Sequence, residues 1–302
     1  MLSAHLLACI SGGWRGIHRA VRKVTVVVAG HNRRDLLLET LPRHRAPVIL
    51  VDNASTDGTA AAVAARLPLV RVMRLPVDAG AAARNVGAAL AQTPYVAFAD
   101  PDSYWEGDAL EEAARALDKH PSTALLAARV LVGPAARLDP VSAEMGAAPL
   151  GTTPTQPGPS VLGFHARAAV VRRDVFLAVG GFQPKLHVYG EESLLAMDLA
   201  AEGWGLAYLP SLVVRHLPAH GGQDPAGRRR QRIRNDLLTT WLRRPVAQAV
   251  RAAARALASA DGRGGLHDAL AELPWVIRHR RRLPPHLEAA LRRLEADQAI
   301  VG

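Results

Sequence analysis

Tyr95-Val-Ala-Phe-Ala-Asp-Pro-Asp-Ser-Tyr-Trp105 is a short apolar run that stops abruptly in two carboxylates one residue apart. A run of this kind reads as a buried strand that carries Asp100 and Asp102 to its carboxyl end. In open α/β sheets ligands bind outside that edge. Pro101 fixes φ between the two carboxylates and removes a backbone N–H, which stiffens the pair. Two hard oxygen donors held this way suit Mg²⁺ or Mn²⁺ shared with a substrate's phosphates. The alternative for an isolated Asp-x-Asp is a polar turn, with Asp108 or a neighbour capping the helix that follows.

Strand, turn and helix recur on the N-terminal side of this stretch. Residues 24–29 are a β-branched run ending at Gly30-His31-Asn32, and 33–41 have helical spacing. Residues 47–51 form a second strand that ends in Asp52-Asn53-Ala-Ser-Thr-Asp57-Gly58-Thr59, with a helix predicted over 60–66 and Thr56 or Asp57 as its cap. Asp52 stands apart, at the last strand position facing the crevice. After a third strand at 70–75, Asp78 to Gly87 opens a helix of small residues that is able to lie close to the sheet and aim Arg84 at the strand ends. A guanidinium there suits a phosphate or a nucleotide base. With a further helix over 107–119, the alternation predicts a parallel, doubly wound half-domain. No G-x-G-x-x-G follows the first strand and no G-x-x-x-x-G-K-[ST] occurs, which sets aside dinucleotide and P-loop sites.

On the C-terminal side, a strand at 123–132 runs into residues 133–159, rich in Gly, Pro, Ala and Thr and read as a lid or binding loop. Regular structure resumes over 162–171, and a short helix at 173–179 ends at Gly180-Gly181. Glu191 and Glu192 then open a helix over 193–202, where acidic residues complement the helix dipole. Residues 204–209 and 212–216 are strand-like, and His216 terminates the second of them.

The 302 residues, 49% hydrophobic, suffice for one large core or a domain with a helical appendage. No run approaches about 18 uninterrupted apolar residues, so no transmembrane helix is expected. Residues 1–10 are apolar but lack a preceding basic residue and a clear cleavage site, and read as an ordinary N-terminus. Cys9 is the single cysteine, which excludes an intrachain disulfide and points to a reducing cytoplasm. Residues 227–302 hold 16 Arg against 7 Asp and Glu, so +9 of the net +10 lies there. Such a block suits nucleic acid, anionic lipid or an acidic substrate, and equally suits solvated helix faces. Helical spacing runs through it, and Arg278-His-Arg-Arg-Arg282 adjoins Trp275, Val276 and Ile277, a composition fitted to an anionic leaflet or to a packed helix with a basic rim.

The ordered set of Ala29-Gly30-His31-Asn32, Val51-Asp52-Asn53, Gly80 to Gly87 with Arg84-Asn85, Asp100-Pro-Asp102, Gly180-Gly181-Phe182, Gly190-Glu191-Glu192 and His216 resembles the family 2 glycosyltransferases. The resemblance implies a GT-A fold, a Rossmann-like, doubly wound and mostly parallel α/β sheet, over residues 23–222, with an extension at 1–22 and a basic helical tail at 223–302. It also implies an inverting, divalent-cation-dependent transfer from a nucleotide sugar to a saccharide, lipid-linked or small-molecule acceptor, in the cytoplasm or on the cytoplasmic membrane face. By this resemblance Ala29, His31, Asp52, Arg84, Asp100 and Arg234 contact the donor, and Asp102 and His216 hold Mn²⁺ or Mg²⁺. Glu192 is the base and Glu191 its neighbour. Two departures stand out: the family's first strand usually ends in Pro-Thr-Tyr-Asn, and its acidic pair is usually Glu-Asp. A sugar nucleotidyltransferase would need a Gly-rich basic loop after the first strand, which Ala29-Gly-His-Asn does not supply. A nucleic-acid-binding protein would explain the tail but not the carboxylates at successive strand ends.

Overall fold

The structure, a computed structural model, describes residues 23–218 and 225–301. The readings of residues 1–10 and of Cys9 lie outside the described residues. β1 (Val24–Gly30), β2 (Val48–Asn53), β3 (Arg71–Leu75) and β4 (Tyr95–Ala99) form a parallel set in the order β3-β2-β1-β4. β8 (Ala169–Arg172) continues the sheet antiparallel to β4. β6 (Thr123–Val132), β9 (Gly205–His216) and the three-residue β5 (Ser103–Trp105) follow, and the short β7 (Arg137–Leu138) pairs with β6. Six of the nine strands run one way, as the mostly parallel reading requires.

Helices cover both faces, which is why the inner strands are continuous apolar runs. Alternate residues of each strand enter opposite cores: Val27, Val51, Val96 and Phe98 enter one, and Val26, Val28, Leu50 and Ala97 the other. α1 (Arg34–Thr40), α2 (Thr59–Arg66), α3 (Ala83–Leu90) and α4 (Ala109–Lys119) connect the first strands. The small residues of α3 act as expected: a Cβ at Gly87 would meet Val27 Cγ1 at 2.3 Å, so the helix backbone lies directly on β1. Asp57 rather than Thr56 closes the start of α2, accepting from Thr59 N at 3.0 Å.

Residues 133–159 are not one loop. They contain β7 and α5 (Pro140–Gly146), whose cap Asp139 accepts from Val141 N at 2.9 Å while Pro140 occupies the first turn. α6 (Arg173–Ala178) and α7 (Glu191–Ala201) precede β9, a single strand in which a register shift opposite Ala128 and Arg129 accommodates Pro210, Ser211 and Leu212.

The tail is α8 (Pro225–Arg243), α9 (Val246–Ala256), α10 (Ala260–Leu270), α11 (Leu273–His279) and α12 (Pro285–Val301). It packs against the sheet domain through Leu186 and Leu194, and Leu283, Leu287 and Leu291 enter the core beside α7. Arg243 grips Asp198 of α7 with two hydrogen bonds of 2.5 and 2.9 Å.

Candidate active site

The carboxyl edge of the parallel strands gathers most of the residues singled out in the sequence. Asp52, at the end of β2, is buried; its Oδ1 accepts from Ser55 N at 3.2 Å, and its buried Oδ2 has no hydrogen-bond partner. Arg74 Nε, from the facing position on β3, lies 3.8 Å from that oxygen. Ala29 precedes the Gly30 that pairs with Asp52, and His31 Nδ1 lies 2.7 Å from Asn53 O, so both flank the same corner.

Asp100 follows β4 directly. Burial alone would raise its pKa, but the Arg84 and Arg167 guanidiniums outweigh that and hold the carboxyl below the usual carboxylate range. Arg84 bonds one carboxylate oxygen, and Arg167 Nε bonds the other at 2.9 Å. Arg84 also lies 5.9 Å over the Phe182 ring. Asn85 exchanges hydrogen bonds with the Phe182 backbone, N to Oδ1 at 2.9 Å and Nδ2 to O at 2.8 Å, which fixes where α3 ends its approach.

Asp102 and His216 meet because of β5. Its pairing with β9 sets Ser103 opposite His216, and Leu217 N donates to Asp102 O at 2.8 Å. His216 Nε2 then lies 3.4 Å from Asp102 Oδ2. Arg167 Nη1 completes the chain, 3.2 and 3.3 Å from the two ring nitrogens of His216. The sequence reading missed Arg167; its only signal is a lone charge within the apolar run before β8.

Glu191 and Glu192 begin α7 after Gly190, whose φ of 83° sets the turn. Glu191 is buried with no partner on Oε2, and burial, then the neighbouring Glu192 charge, push its pKa up to about 8 against the pull of Arg84. Glu192 is half-buried, and its Oε1 accepts from Ala166 N at 3.3 Å, beside Arg167. The two side chains thus face different environments, one dry, where the charged form is disfavoured, the other partly open.

Arg234, expected beside a diphosphate, is engaged elsewhere in this structure. Its Nη1 donates to Lys185 O at 3.0 Å and Asn235 Oδ1 at 2.8 Å, and its Nη2 to Glu272 at 3.2 Å. A nearby carboxylate and two oxygen acceptors hold the guanidinium on the tail side of the 185–189 loop. There it orients Asn235, whose buried Nδ2 lies 2.7 to 2.8 Å from the carbonyls of Leu186, Val188 and Tyr189.

A mostly parallel sheet with an Asp-Pro-Asp turn at its carboxyl edge and an acidic pair opposite is the architecture of GT-A glycosyltransferases. Residues 25–180 match glycosyl transferase family 2. N-acetylglucosaminyl-diphospho-decaprenol L-rhamnosyltransferase of Mycobacterium tuberculosis strain H37Rv is 31% identical over 239 residues, 67% of this chain and 77% of that relative. Among solved structures, the mannosyltransferase PcManGT of Pyrobaculum calidifontis, in complex with GDP-Man and Mn²⁺, superposes with a TM-score of 0.56 at 24% identity, over 98% of this chain and 89% of its own. S. aureus TarS 1-349 gives 0.54 at 20% identity, over 82% and 70%. The chain belongs to glycosyl transferase family 2 and is a glycosyltransferase that uses a nucleotide sugar.

Proposed function

We propose that the protein transfers a sugar from a nucleoside diphosphate donor to an acceptor hydroxyl by direct displacement, with inversion, assisted by a divalent cation. The observation that carries this is the unbroken contact chain Arg84, Asp100, Arg167, His216, Asp102, with Glu192 alongside. Asp52 Oδ2 is a buried acceptor with no hydrogen-bond partner, only Arg74 at 3.8 Å, and is the group a base N–H would satisfy. Ala29 and His31 flank that corner, and Asp100, fixed by two arginines, lies on the ribose side. Asp102 and His216 present a carboxylate and an imidazole that fit a Mn²⁺ or Mg²⁺ ion completed by the donor's phosphates. That ion would offset charge developing on the departing diphosphate. Glu192 takes the proton of the acceptor hydroxyl, because it is the half-buried, open member of the pair, whereas burial disfavours the charged form of Glu191. A single base and no covalent intermediate give inversion.

The groove assigned to the acceptor is mostly apolar, with Glu144, Arg244, Glu295 and Asp297 also in its lining. This groove of about 880 Å³, lined by Met145, Val161, Leu162, Met197, Leu291 and Leu294, reaches Ser193 beside Glu192. It favours an acceptor carrying a hydrocarbon portion, in keeping with the lipid-linked substrate in the mycobacterial relative's name. Membrane contact fits the tail: Val246, Val250, Leu257 and Ile277 are exposed, with Arg251, Arg255 and Arg278 exposed among them. Among the described residues no helix is long and apolar enough to cross a membrane.

A thermal-shift panel of UDP, GDP and dTDP sugars, with and without Mn²⁺, tests the reading. A cognate donor raises the melting temperature by mass action; no shift with any of them would sink it.

A further inference from the structure

Arg167 is more than a partner for Asp100. Asp100 carries one negative charge and is held by two guanidiniums, so it does not need both for its own neutralisation; Arg167 is shared with Asp102 and Glu192. Arg84 is the buried one; the Arg167 side chain is 26% exposed, against 11% for Arg84. Of its five N–H donors, only those on Nε and Nη1 have hydrogen bonds among the described residues, leaving Nη2 uncommitted. Its surroundings are the groups assigned to the reaction: Asp100, Asp102, His216 and Glu192.

The contact with His216 is the informative one. A neutral imidazole has one acceptor nitrogen and one N–H. If one ring nitrogen coordinates a metal, the other carries the hydrogen and offers nothing to a guanidinium. The Arg167 to His216 contact and metal ligation by His216 therefore exclude each other. A cation on Asp102 and His216 would also claim the carboxylate that helps balance Arg167. Its free donors would then face the crevice where the donor's phosphates lie.

We infer that Arg167 is a second, built-in cation for the donor's diphosphate, whose contact with His216 would give way to the phosphates where that ring holds a metal. This rests on the nucleotide-sugar reading above. A planar guanidinium suits phosphate oxygens bidentately, which an ammonium does not fully reproduce.

The test is calorimetric binding of UDP, GDP and dTDP, and of the matching nucleosides, to wild type, Arg167→Lys and Arg167→Met, with Mn²⁺ and in chelator. The inference expects the methionine variant to bind the preferred diphosphate roughly 10-fold or more weakly with Mn²⁺ present, the usual worth of a charge-assisted hydrogen bond. Nucleoside affinity falls much less than diphosphate affinity, since Arg84 still holds Asp100, and lysine recovers part of the diphosphate affinity. Unchanged diphosphate binding by Arg167→Met overturns it. A parallel loss of nucleoside and diphosphate affinity, with lysine no better than methionine, makes Arg167 a scaffold residue and overturns it too. If Arg167→Met does not fold, D100N/R167M compared with D100N serves the same purpose, because no carboxylate is then stranded. Wild type that binds nucleosides but no diphosphate overturns the Arg167 inference alone; wild type that binds neither removes the donor reading first.

Discussion

At the scale of the residue, the acidic pair divides its labour by environment. Glu192→Gln keeps size and hydrogen bonding but removes the basic lone pair, so transfer should fall by roughly 10²-fold or more. Donor affinity should stay near wild type, since the nucleotide side is built from other strand ends; equal turnover in a steady-state assay would place the base elsewhere. Asp102→Asn should abolish Mn²⁺-dependent stimulation while the fold persists, which turnover with and without chelator would show. Glu191 makes a separate prediction about stability. Its folded pKa of about 8 lies above the usual carboxyl value of 4.5, so the folded state binds the extra proton between those pH values. The stability it contributes is complete below pH 4.5 and is lost as pH rises toward 8. Glu191→Gln should therefore match wild type near pH 4.5 and exceed it at pH 8 and above, read from urea midpoints. A constant difference across that range would remove the account.

At the scale of the element, Gly87 and Asn235 are the sharpest tests. Gly87→Ala puts a Cβ 2.3 Å from Val27 Cγ1, so α3 must lift from β1; about 1–3 kcal/mol of stability should go, and Arg84 at its head should lose alignment with Asp100. Asn235→Ala strips the buried Leu186 carbonyl, and the part-buried carbonyls of Val188 and Tyr189, of the Asn235 donor and should cost about 1–3 kcal/mol, with faster proteolysis of the 185–189 loop. The first four strands were legible because buried parallel strands are continuous apolar runs closed by polar turn residues, as 95–99 is closed by Asp-Pro-Asp. β5 was not, since three residues carry no periodicity, yet its pairing brings His216 to Asp102. α5 was hidden in a Gly- and Pro-rich stretch, although Asp139-Pro140 is a helix-start signal. Residue types at the site were readable; distances were not, so neither Arg167's place between Asp100 and His216 nor the capture of Arg234 by Glu272 could be seen.

At the scale of the whole molecule, charge and exposed apolar surface coincide on the tail. Ile277 is 75% exposed and Val250 62%, and neither contributes to a core. The Arg278 to Arg282 run is partly structural, since Arg280 donates to Arg244 O at 2.6 Å, and the surface proposed above to meet lipid draws on exposed Val250 and Leu257 near α9 as well. Replacing Val250 and Leu257 by Ser and Arg251 and Arg255 by Gln should release the protein from anionic vesicles with turnover on a soluble acceptor intact. Unchanged co-sedimentation would remove the lipid reading.

The late leucines of the first core bear on how the chain is made. Leu283, Leu287 and Leu291 close the apolar face beside α7, which itself ends at Ala201. At ribosomal rates of about 5–20 residues per second, roughly 5–18 s separate synthesis of α7 from synthesis of its cover. For that interval a nascent chain with its sheet already assembled carries an unsheltered hydrophobic surface. Chains ended at residue 216 and released should therefore bind chaperones, and released chains that include Leu283, Leu287 and Leu291 should not.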